Sequence, residues 1–109
     1  MLKTTSLLAL FIMGLISSIQ VSAEVVHVEI KKFEFIPQYL TINVGDSIVW
    51  TNKEKRQYHS IWFEALEGVE PDYLFPGEIY RRTFNQVGRF NYRCGPHPKM
   101  TGSVHVKQI

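Results

Sequence analysis

Cys94-Gly95-Pro96-His97-Pro98-Lys99-Met100 is the stretch around which the rest of this 109-residue chain can be interpreted. It contains the only cysteine of the chain, a histidine three residues later and a methionine three residues after that. A thiolate, an imidazole and a thioether together suit soft or borderline metals, copper above all. The two prolines and the glycine limit the backbone to few conformations. The stretch therefore predicts a short, rigid metal-binding loop.

A second imidazole is available upstream at His59. Two histidines, one cysteine and a weak axial methionine form the ligand set of a blue-copper electron-transfer site. Taken singly, such residues more often have other roles: a cysteine as a small buried hydrophobe, a methionine as core filler, a histidine at the surface. Their coincidence favours the metal, with His59, Cys94 and His97 in a trigonal plane and Met100 as the axial ligand.

The pattern of apolar residues predicts an all-β sandwich. Residues alternate between apolar and polar with a period of two, turn signals are frequent, and no apolar pattern of period 3.6 is sustained. Residues 64–77 form a longer connection that has room for a short helical turn. The predicted strands are 26–30 continuing through Phe33 and Phe35, 40–44, 47–52, 59–63, 78–85, 89–94 and 103–107.

The alternation also separates the four histidines. His27 and His105 fall on outward faces of predicted strands and are assigned no role. His59 and His97 lie at strand or loop ends, where loops can converge on a site. Cys94 shares the inward parity of the strand that precedes it, so its thiol is expected to face the interior.

The N-terminal residues 1–23 have the composition of a secretory signal peptide. Lys3 supplies a positive charge, an apolar run spans 7–16, and Val21-Ser22-Ala23 is a plausible cleavage site. The apolar run is shorter than the roughly 20 residues that a membrane span needs. We therefore expect one mature domain, residues 24–109, exported to the periplasm without a membrane span.

Composition excludes several classes of function. The mature domain has 11 basic and 10 acidic residues, so nothing indicates nucleic-acid binding. A single cysteine forms no internal disulfide, and metal ligation would protect it in an oxidising compartment. Charge is uneven along the chain: bases precede His59 and acids follow it. These are two solvated faces or a docking patch, and the residues concerned are Lys53, Lys55, Arg56, Glu64, Glu67, Glu70 and Asp72.

The sequence resembles the cupredoxins, the type 1 blue copper family, and is most similar to its amicyanin-like and plastocyanin-like members. The resemblance rests first on the Cys-x-x-His-x-x-Met spacing of 94–100. It extends to Val44–Asn52 before the first histidine, to Val87–Cys94, and to the last strand at Gly102–Val106. It covers about residues 25 to 107.

The resemblance implies a Greek-key β-sandwich with one copper bound by His59, Cys94, His97 and Met100. It also implies a monomeric periplasmic electron carrier, not an enzyme, whose partners are redox proteins such as a c-type cytochrome, a dehydrogenase or an oxidase. His97 would expose a ring edge as the electron port. Its apolar rim would come from Pro96, Pro98 and 35–37.

Two residues depart from the family pattern. Ser60 stands where the family commonly has an asparagine that links the two ligand loops, so this link is expected to be weaker or replaced. Lys99 stands where amicyanin-like loops carry an aromatic residue, which favours a more acidic partner.

Two other classes of function remain open. A copper-delivery protein would hold Cu(I) without transferring electrons, but such proteins often expose several methionines, and Met100 is the only one in the mature domain. A hydrolase built on Cys94 and His97 is disfavoured because no oxyanion site is evident.

Overall fold

The computed structural model describes residues 22–109 together with Gly14. The predicted signal peptide, residues 1–23, lies almost entirely outside the described residues and stays a prediction. Within the described part every regular element is a strand. The strands are β1 (Val25–Lys31), β2 (Glu34–Ile36), β3 (Tyr39–Asn43), β4 (Ser47–Asn52), β5 (Ile79–Thr83), β6 (Gly88–Arg93) and β7 (Thr101–Lys107).

The strands form two sheets whose neighbours are mostly not consecutive in sequence. One sheet has the order β2-β1-β4-β5 and the other the order β3-β7-β6. The pairs β1–β4 and β3–β7 are parallel, and the remaining pairs are antiparallel. Each parallel pair requires the chain to cross to the other sheet and return, which gives the Greek-key arrangement. The prediction of an all-β sandwich is confirmed.

The period-two pattern decides which side chains enter the core between the sheets. Val28 and Ile30 on β1 are fully buried, whereas His27 between the β1 apolar residues is exposed. Val104 and Val106 on β7 are also buried, with His105 half-buried on the other face. Alternating side chains point to opposite faces of a strand, so one face of each sheet is apolar.

Aromatic side chains fill the centre of the core. Trp50 on β4 is fully buried and donates its indole N–H to the Tyr92 hydroxyl across the two sheets, at 3.2 Å. Burial raises the pKa of Tyr92 to about 12. The Phe63 and Phe35 rings pack against Tyr92, with ring centroids 5.1 and 4.8 Å away. The buried tyrosine and tryptophan thus satisfy each other's polar atoms inside an apolar core.

Two of the predicted strand regions are wrong. Residues 59–63 form no strand, because His59 pairs its backbone with Leu74 whereas Trp62 pairs with Arg93. Because the pairing partner changes within this segment, its side chains do not alternate between a buried and an exposed face. His59, Ser60 and Ile61 are all buried. The connection 64–77, by contrast, begins with a single turn of the expected kind, in which the Phe63 carbonyl accepts the N–H groups of Leu66 and Glu67.

The other error lies at Phe33. The prediction continued the first strand through this residue, but Lys32 and Phe33 form a tight turn between β1 and β2, where Lys31 pairs with Glu34. Both turn residues have positive φ, 51° and 59°. Such a two-residue hairpin normally carries Asn or Gly, and the pair Lys32-Phe33 therefore lacks the usual turn signal.

No helix among the described residues has the length and apolar character needed to cross a membrane.

Candidate metal centre

The loop 94–100 joins β6 to β7 and is closed by its own backbone. The Cys94 N–H donates to the Met100 carbonyl at 2.9 Å, and the Met100 N–H donates to the His97 carbonyl at 2.9 Å. Cys94 follows the last residue of β6 and is fully buried, as its inward parity predicted. Met100 is also buried, at 5% exposure, immediately before β7 begins. The loop therefore holds both sulfur-containing side chains inside the protein.

His59 reaches the same place from the other side of the sandwich. It is fully buried, and its backbone exchanges two hydrogen bonds with Leu74, at 3.0 and 2.6 Å. This pairing fixes the backbone of His59 although it belongs to no strand. The ring consequently has little freedom to leave the site.

The three residues bring their ligating atoms together. The Cys94 Sγ lies 3.6 Å from His59 Nδ1 and 3.5 Å from His97 Nδ1, and all three atoms lie within 4.8 Å of one another. Two imidazoles that present the same nitrogen to one thiol make the His₂Cys set of a trigonal copper site. Within residues 22–109 this is the one cluster of histidine, cysteine and carboxylate groups able to hold a metal. The donor set fits copper.

Ser60 links the two ligand segments. Its backbone N–H points at the Cys94 sulfur, 3.4 Å away, and its hydroxyl accepts a hydrogen bond from the Gly95 N–H at 2.8 Å. A Cβ on Gly95 would collide with the Glu70 carboxylate and would lie 2.8 Å from the Ser60 hydroxyl, so glycine leaves room for both groups. The link is expected to be weaker or replaced with a serine here, and the Ser60 hydroxyl itself bonds directly to the cysteine loop.

Arg93 supports the loop from outside. Its guanidinium donates to the carbonyl oxygens of Cys94 and Gly95, each at 3.1 Å, and forms an ion pair with Glu64. The same group lies over the Trp62 ring, 4.5 Å from its centroid. A planar guanidinium can make all these contacts at once because its N–H groups are fixed in one plane. Arg93 thus fixes the first turn of the ligand loop.

Glu54 occupies the far side of the His59 ring. Its carboxylate lies 3.3 Å from His59 Nε2 and accepts the backbone N–H of Phe33 at 2.9 Å. Asn52, almost fully buried, accepts the Glu54 N–H and donates to the carbonyls of Gln57 and Leu74. A carboxylate on the second ring nitrogen of a ligating histidine fixes its tautomer and orientation. Here that leaves Nδ1 free to face the sulfur.

Two pKa shifts follow from this enclosure. Burial lowers the pKa of His59 below its ordinary 6.5, since the Glu54 carboxylate only partly offsets the loss of hydration and a second imidazole, His97, lies nearby. Burial raises the pKa of the Cys94 thiol, and the backbone N–H groups of Ser60 and His97 act in the opposite direction. Both shifts favour the uncharged forms of His59 and Cys94 when no metal is bound, so binding a metal to the thiolate must release a proton.

His97 is the partly exposed member of the cluster. It lines an open depression with Phe33, Pro96, Pro98, Lys99 and Met100. The edge of the Phe33 ring contacts it, with ring centroids 4.9 Å apart. Pro96 and Pro98 therefore lie on the rim as expected. Of the predicted segment 35–37, Phe35 is buried against Tyr92, whereas the exposed Ile36 and Pro37 line the adjoining groove with Lys99. Phe33 takes the place of Phe35.

The position of Phe33 depends on the strained turn. Two successive non-glycine residues in the left-handed region cost roughly 1–2 kcal/mol each. The turn places the Phe33 ring edge-on to both His59 and His97. Sequence reasoning missed Phe33, Glu54 and Arg93, because each acts through contacts with residues distant in the chain.

Comparison with known proteins agrees with this geometry. Residues 22–107 match the plastocyanin/azurin family of copper-binding proteins. The amicyanin of Paracoccus versutus is 33% identical over 98 residues, which cover 84% of this chain and 72% of that protein.

Solved structures show the same fold. The crystal structure of amicyanin from Paracoccus versutus superposes with a TM-score of 0.69 at 31% identity, covering 81% of this chain and 86% of that one. A copper-containing nitrite reductase from Thermus scotoductus superposes with a TM-score of 0.69 at 28% identity, covering 77% of this chain but only 22% of the enzyme. This chain therefore belongs to the plastocyanin/azurin family of copper-binding proteins and has the cupredoxin fold.

Proposed function

We propose that this protein carries single electrons between redox proteins through one copper ion bound by His59, Cys94, His97 and Met100. The observation that supports this most directly is the convergence of two imidazole Nδ1 atoms on one buried thiol, at 3.5 and 3.6 Å. When bound there, copper supplies a Cu(II)/Cu(I) couple whose geometry changes little on reduction.

The protein's own contribution is to hold the ligands in place in both oxidation states. Leu74 fixes the backbone of His59, and Ser60 joins the His59 segment to Gly95. Arg93 donates hydrogen bonds to the carbonyls at the start of the loop. A site that does not rearrange has a low barrier to electron transfer. Ser60 also directs its N–H at the sulfur, and such hydrogen bonds adjust the reduction potential.

His97 is the exit for the electron in this proposal. His59 and Cys94 are fully buried, whereas the His97 ring lies partly exposed in an apolar depression. A redox partner that covers the depression would come close to the copper through a single imidazole. This arrangement supports a carrier whose partner proteins dock on the surface around His97.

The proposed setting follows from the sequence. A periplasmic location rests on the signal-peptide character of 1–23 and a monomer on the family resemblance. Its partners would be a c-type cytochrome, a dehydrogenase or an oxidase. The protein would not be an enzyme: the nitrite reductase of the same fold matches over only 22% of its length, so most of that enzyme has no counterpart in the match.

Copper delivery is the second candidate, and a reduction experiment separates the two. The copper-loaded protein is cycled by voltammetry in the presence of a high-affinity Cu(I) chelator such as bathocuproine disulfonate. A carrier should show a reversible one-electron couple and keep its copper through many cycles. If the chelator removes the copper promptly on reduction, the protein is a delivery protein and the proposal is wrong.

A further inference from the structure

Four exposed aromatic residues lie beside His97. We call Phe33, Tyr58, Tyr73 and Phe75 the aromatic face; their exposed fractions are 46, 42, 42 and 55%. Tyr58 stacks on Tyr73 with ring centroids 4.9 Å apart and lies 6.0 Å from Phe75 and 6.5 Å from His97. Four neighbouring exposed aromatic rings are unusual on a surface that only contacts water.

Four basic residues border this face on one side. Lys32, Lys53, Lys55 and Arg56, here called the basic collar, are all exposed, and none forms an ion pair within residues 22–109. The collar is held next to the proposed electron port, His97, by Glu54. The Glu54 carboxylate contacts His59 and accepts the backbone N–H of Phe33. Lys32 adjoins Phe33, and Lys53 and Lys55 flank Glu54.

The acidic residues that follow His59 do not balance the collar. Glu64 and Glu67 form ion pairs with Arg93 and Arg82. Glu54, between Lys53 and Lys55, has a side-chain exposure of 15% and offsets only part of the charge of the four cations.

The other carboxylates near the port include Glu78, which accepts the backbone N–H of Phe75 on the aromatic face at 2.7 Å. Glu70 and Asp72 line a hollow with Tyr73 at the other end of the aromatic face, and the Glu70 carboxylate also lies against Gly95 of the ligand loop. Glu34 lies in the same groove as Lys99. The surface around His97 is therefore asymmetric: four cations cluster along the collar with the Glu54 carboxylate among them, which leaves a net positive charge there, whereas Glu70 and Asp72 cluster beside Tyr73.

We propose that the aromatic face and the basic collar together dock one kind of partner, a redox protein whose own electron port is surrounded by carboxylates. This rests on the proposed electron-carrier function and adds the partner's chemistry to it. Unpaired cations beside the port steer an acidic surface toward it, and desolvated aromatic rings then supply contact area. Glu70 and Asp72 at the opposite end repel the same carboxylates and so fix the partner's orientation.

The charge component can be tested with small inorganic probes. The reduced, copper-loaded protein is mixed by stopped flow with hexacyanoferrate(III), a trianion, and with tris(phenanthroline)cobalt(III), a trication. We expect the rate with hexacyanoferrate to fall steeply as ionic strength rises from about 10 to about 500 mM, while the rate with the cobalt complex stays level or rises. The triple variant Lys53→Gln/Lys55→Gln/Arg56→Gln should slow hexacyanoferrate about tenfold at low salt.

A matched control removes three exposed charges elsewhere. Arg81 lies on β5, while Arg89 and Lys107 lie at the ends of β6 and β7 remote from the loop 94–100. Arg81→Gln/Arg89→Gln/Lys107→Gln has the same net charge as the collar variant and should react with hexacyanoferrate nearly as fast as the unchanged protein. Equal rates for the two triple variants would overturn the proposal.

The protein partner is represented by a lysine-rich c-type cytochrome, used as isolated and after succinylation of its lysines. The two forms carry the same haem but opposite surface charge. We expect the succinylated form to react at least about ten times faster at low salt, with the advantage lost in the collar variant. Tyr73→Ser/Phe75→Ser should slow the succinylated cytochrome but not hexacyanoferrate, since a small ion needs no contact area.

Other outcomes are equally informative. If the unmodified basic cytochrome reacts as fast as the succinylated form, the assignment of an acidic partner is wrong. If ultracentrifugation shows a dimer that Tyr73→Ser/Phe75→Ser dissociates, the aromatic face binds a second copy and the proposal falls. If the unchanged protein exchanges electrons with none of these probes, the electron-carrier function itself is wrong. This result differs from a failure of the docking proposal, in which electrons are exchanged but the charge variants have no effect.

Discussion

The backbone N–H of Ser60 lies 3.4 Å from the sulfur of Cys94, a residue 34 positions away in the chain. The Ser60 hydroxyl accepts the N–H of the next residue, Gly95, at 2.8 Å. One small side chain therefore joins the buried histidine segment to the cysteine loop. The stability of the site should depend on it.

Ser60→Ala is expected to destabilise the protein by about 1–3 kcal/mol, because the Gly95 N–H loses its partner in a partly buried position. Copper should also dissociate faster. Urea unfolding and transfer of copper to a chelator measure the two effects. Ser103→Ala, the same change in β7 outside the loop, is the control; equal losses in both variants would mean that the link is unimportant.

Arg93 can be tested by separating its charge from its hydrogen bonds. Arg93→Gln should lower the reduction potential, because removing a nearby cation favours Cu(II). Arg93→Lys keeps the charge, so its potential should stay closer to that of the unchanged protein, while its stability falls by about 1–3 kcal/mol with the lost hydrogen bonds and ring contact.

Arg82→Gln is the matched control for Arg93. Arg82 also pairs with a glutamate and lies over an aromatic ring, Phe63, at 4.8 Å, but it does not contact the ligand loop. Its substitution should reduce stability without shifting the potential. A potential unaffected by Arg93→Gln would show that Arg93 serves the fold alone.

Met100→Leu tests the axial position. A weak thioether contributes little affinity but stabilises Cu(II), so its loss should raise the reduction potential while the visible absorption of the thiolate–copper bond persists. Voltammetry and absorption spectra decide the matter. An unchanged potential would mean that Met100, buried as it is, only fills space.

The pH dependence of the copper-free protein follows from His59. Its pKa lies below 6.5 in the folded state, so the unfolded chain takes up a proton at a higher pH than the folded protein does. Stability contributed by this group is present above about pH 6.5 and is lost as pH falls toward the folded-state pKa. Thermal unfolding of the copper-free protein should show this decline.

Two controls isolate the effect of His59. His59→Gln should flatten the decline, whereas His27→Gln, at an exposed position on β1, should leave it unchanged. Bound copper competes with the proton, so the loaded protein should resist acid further. A stability that does not change between about pH 7 and about pH 5 would contradict the assigned shift.

Much of the fold was predictable from local patterns. The alternation through Val28 and Ile30 correctly predicted the inward face of β1, and the parity of β6 correctly placed Cys94 in the interior. The loop 94–100 could be recognised because its chemistry lies within seven consecutive residues. Such patterns are local in the sequence, so they can be recognised without knowledge of the tertiary structure.

The surroundings of the site could not be predicted in this way. Glu54 contacts His59 because Asn52 and Leu74 shape the intervening loop, and Arg93 reaches Glu64 across two segments that are remote in sequence. Phe33 lies at the site because it belongs to a strained turn that lacks the usual glycine or asparagine. The position of each of these side chains depends on tertiary packing, which the periodicity of the sequence does not predict.

The central claim is that His59, Cys94, His97 and Met100 together bind one copper ion in a blue site. The most direct test is to titrate the copper-free protein with Cu(II) while recording its visible spectrum. We expect an intense blue absorption that saturates at one copper per chain and is accompanied by proton release. The absorption should be lost in Cys94→Ser, which should remain folded. A pale adduct, two or more coppers per chain, or a Cys94→Ser variant that stays blue would contradict the claim.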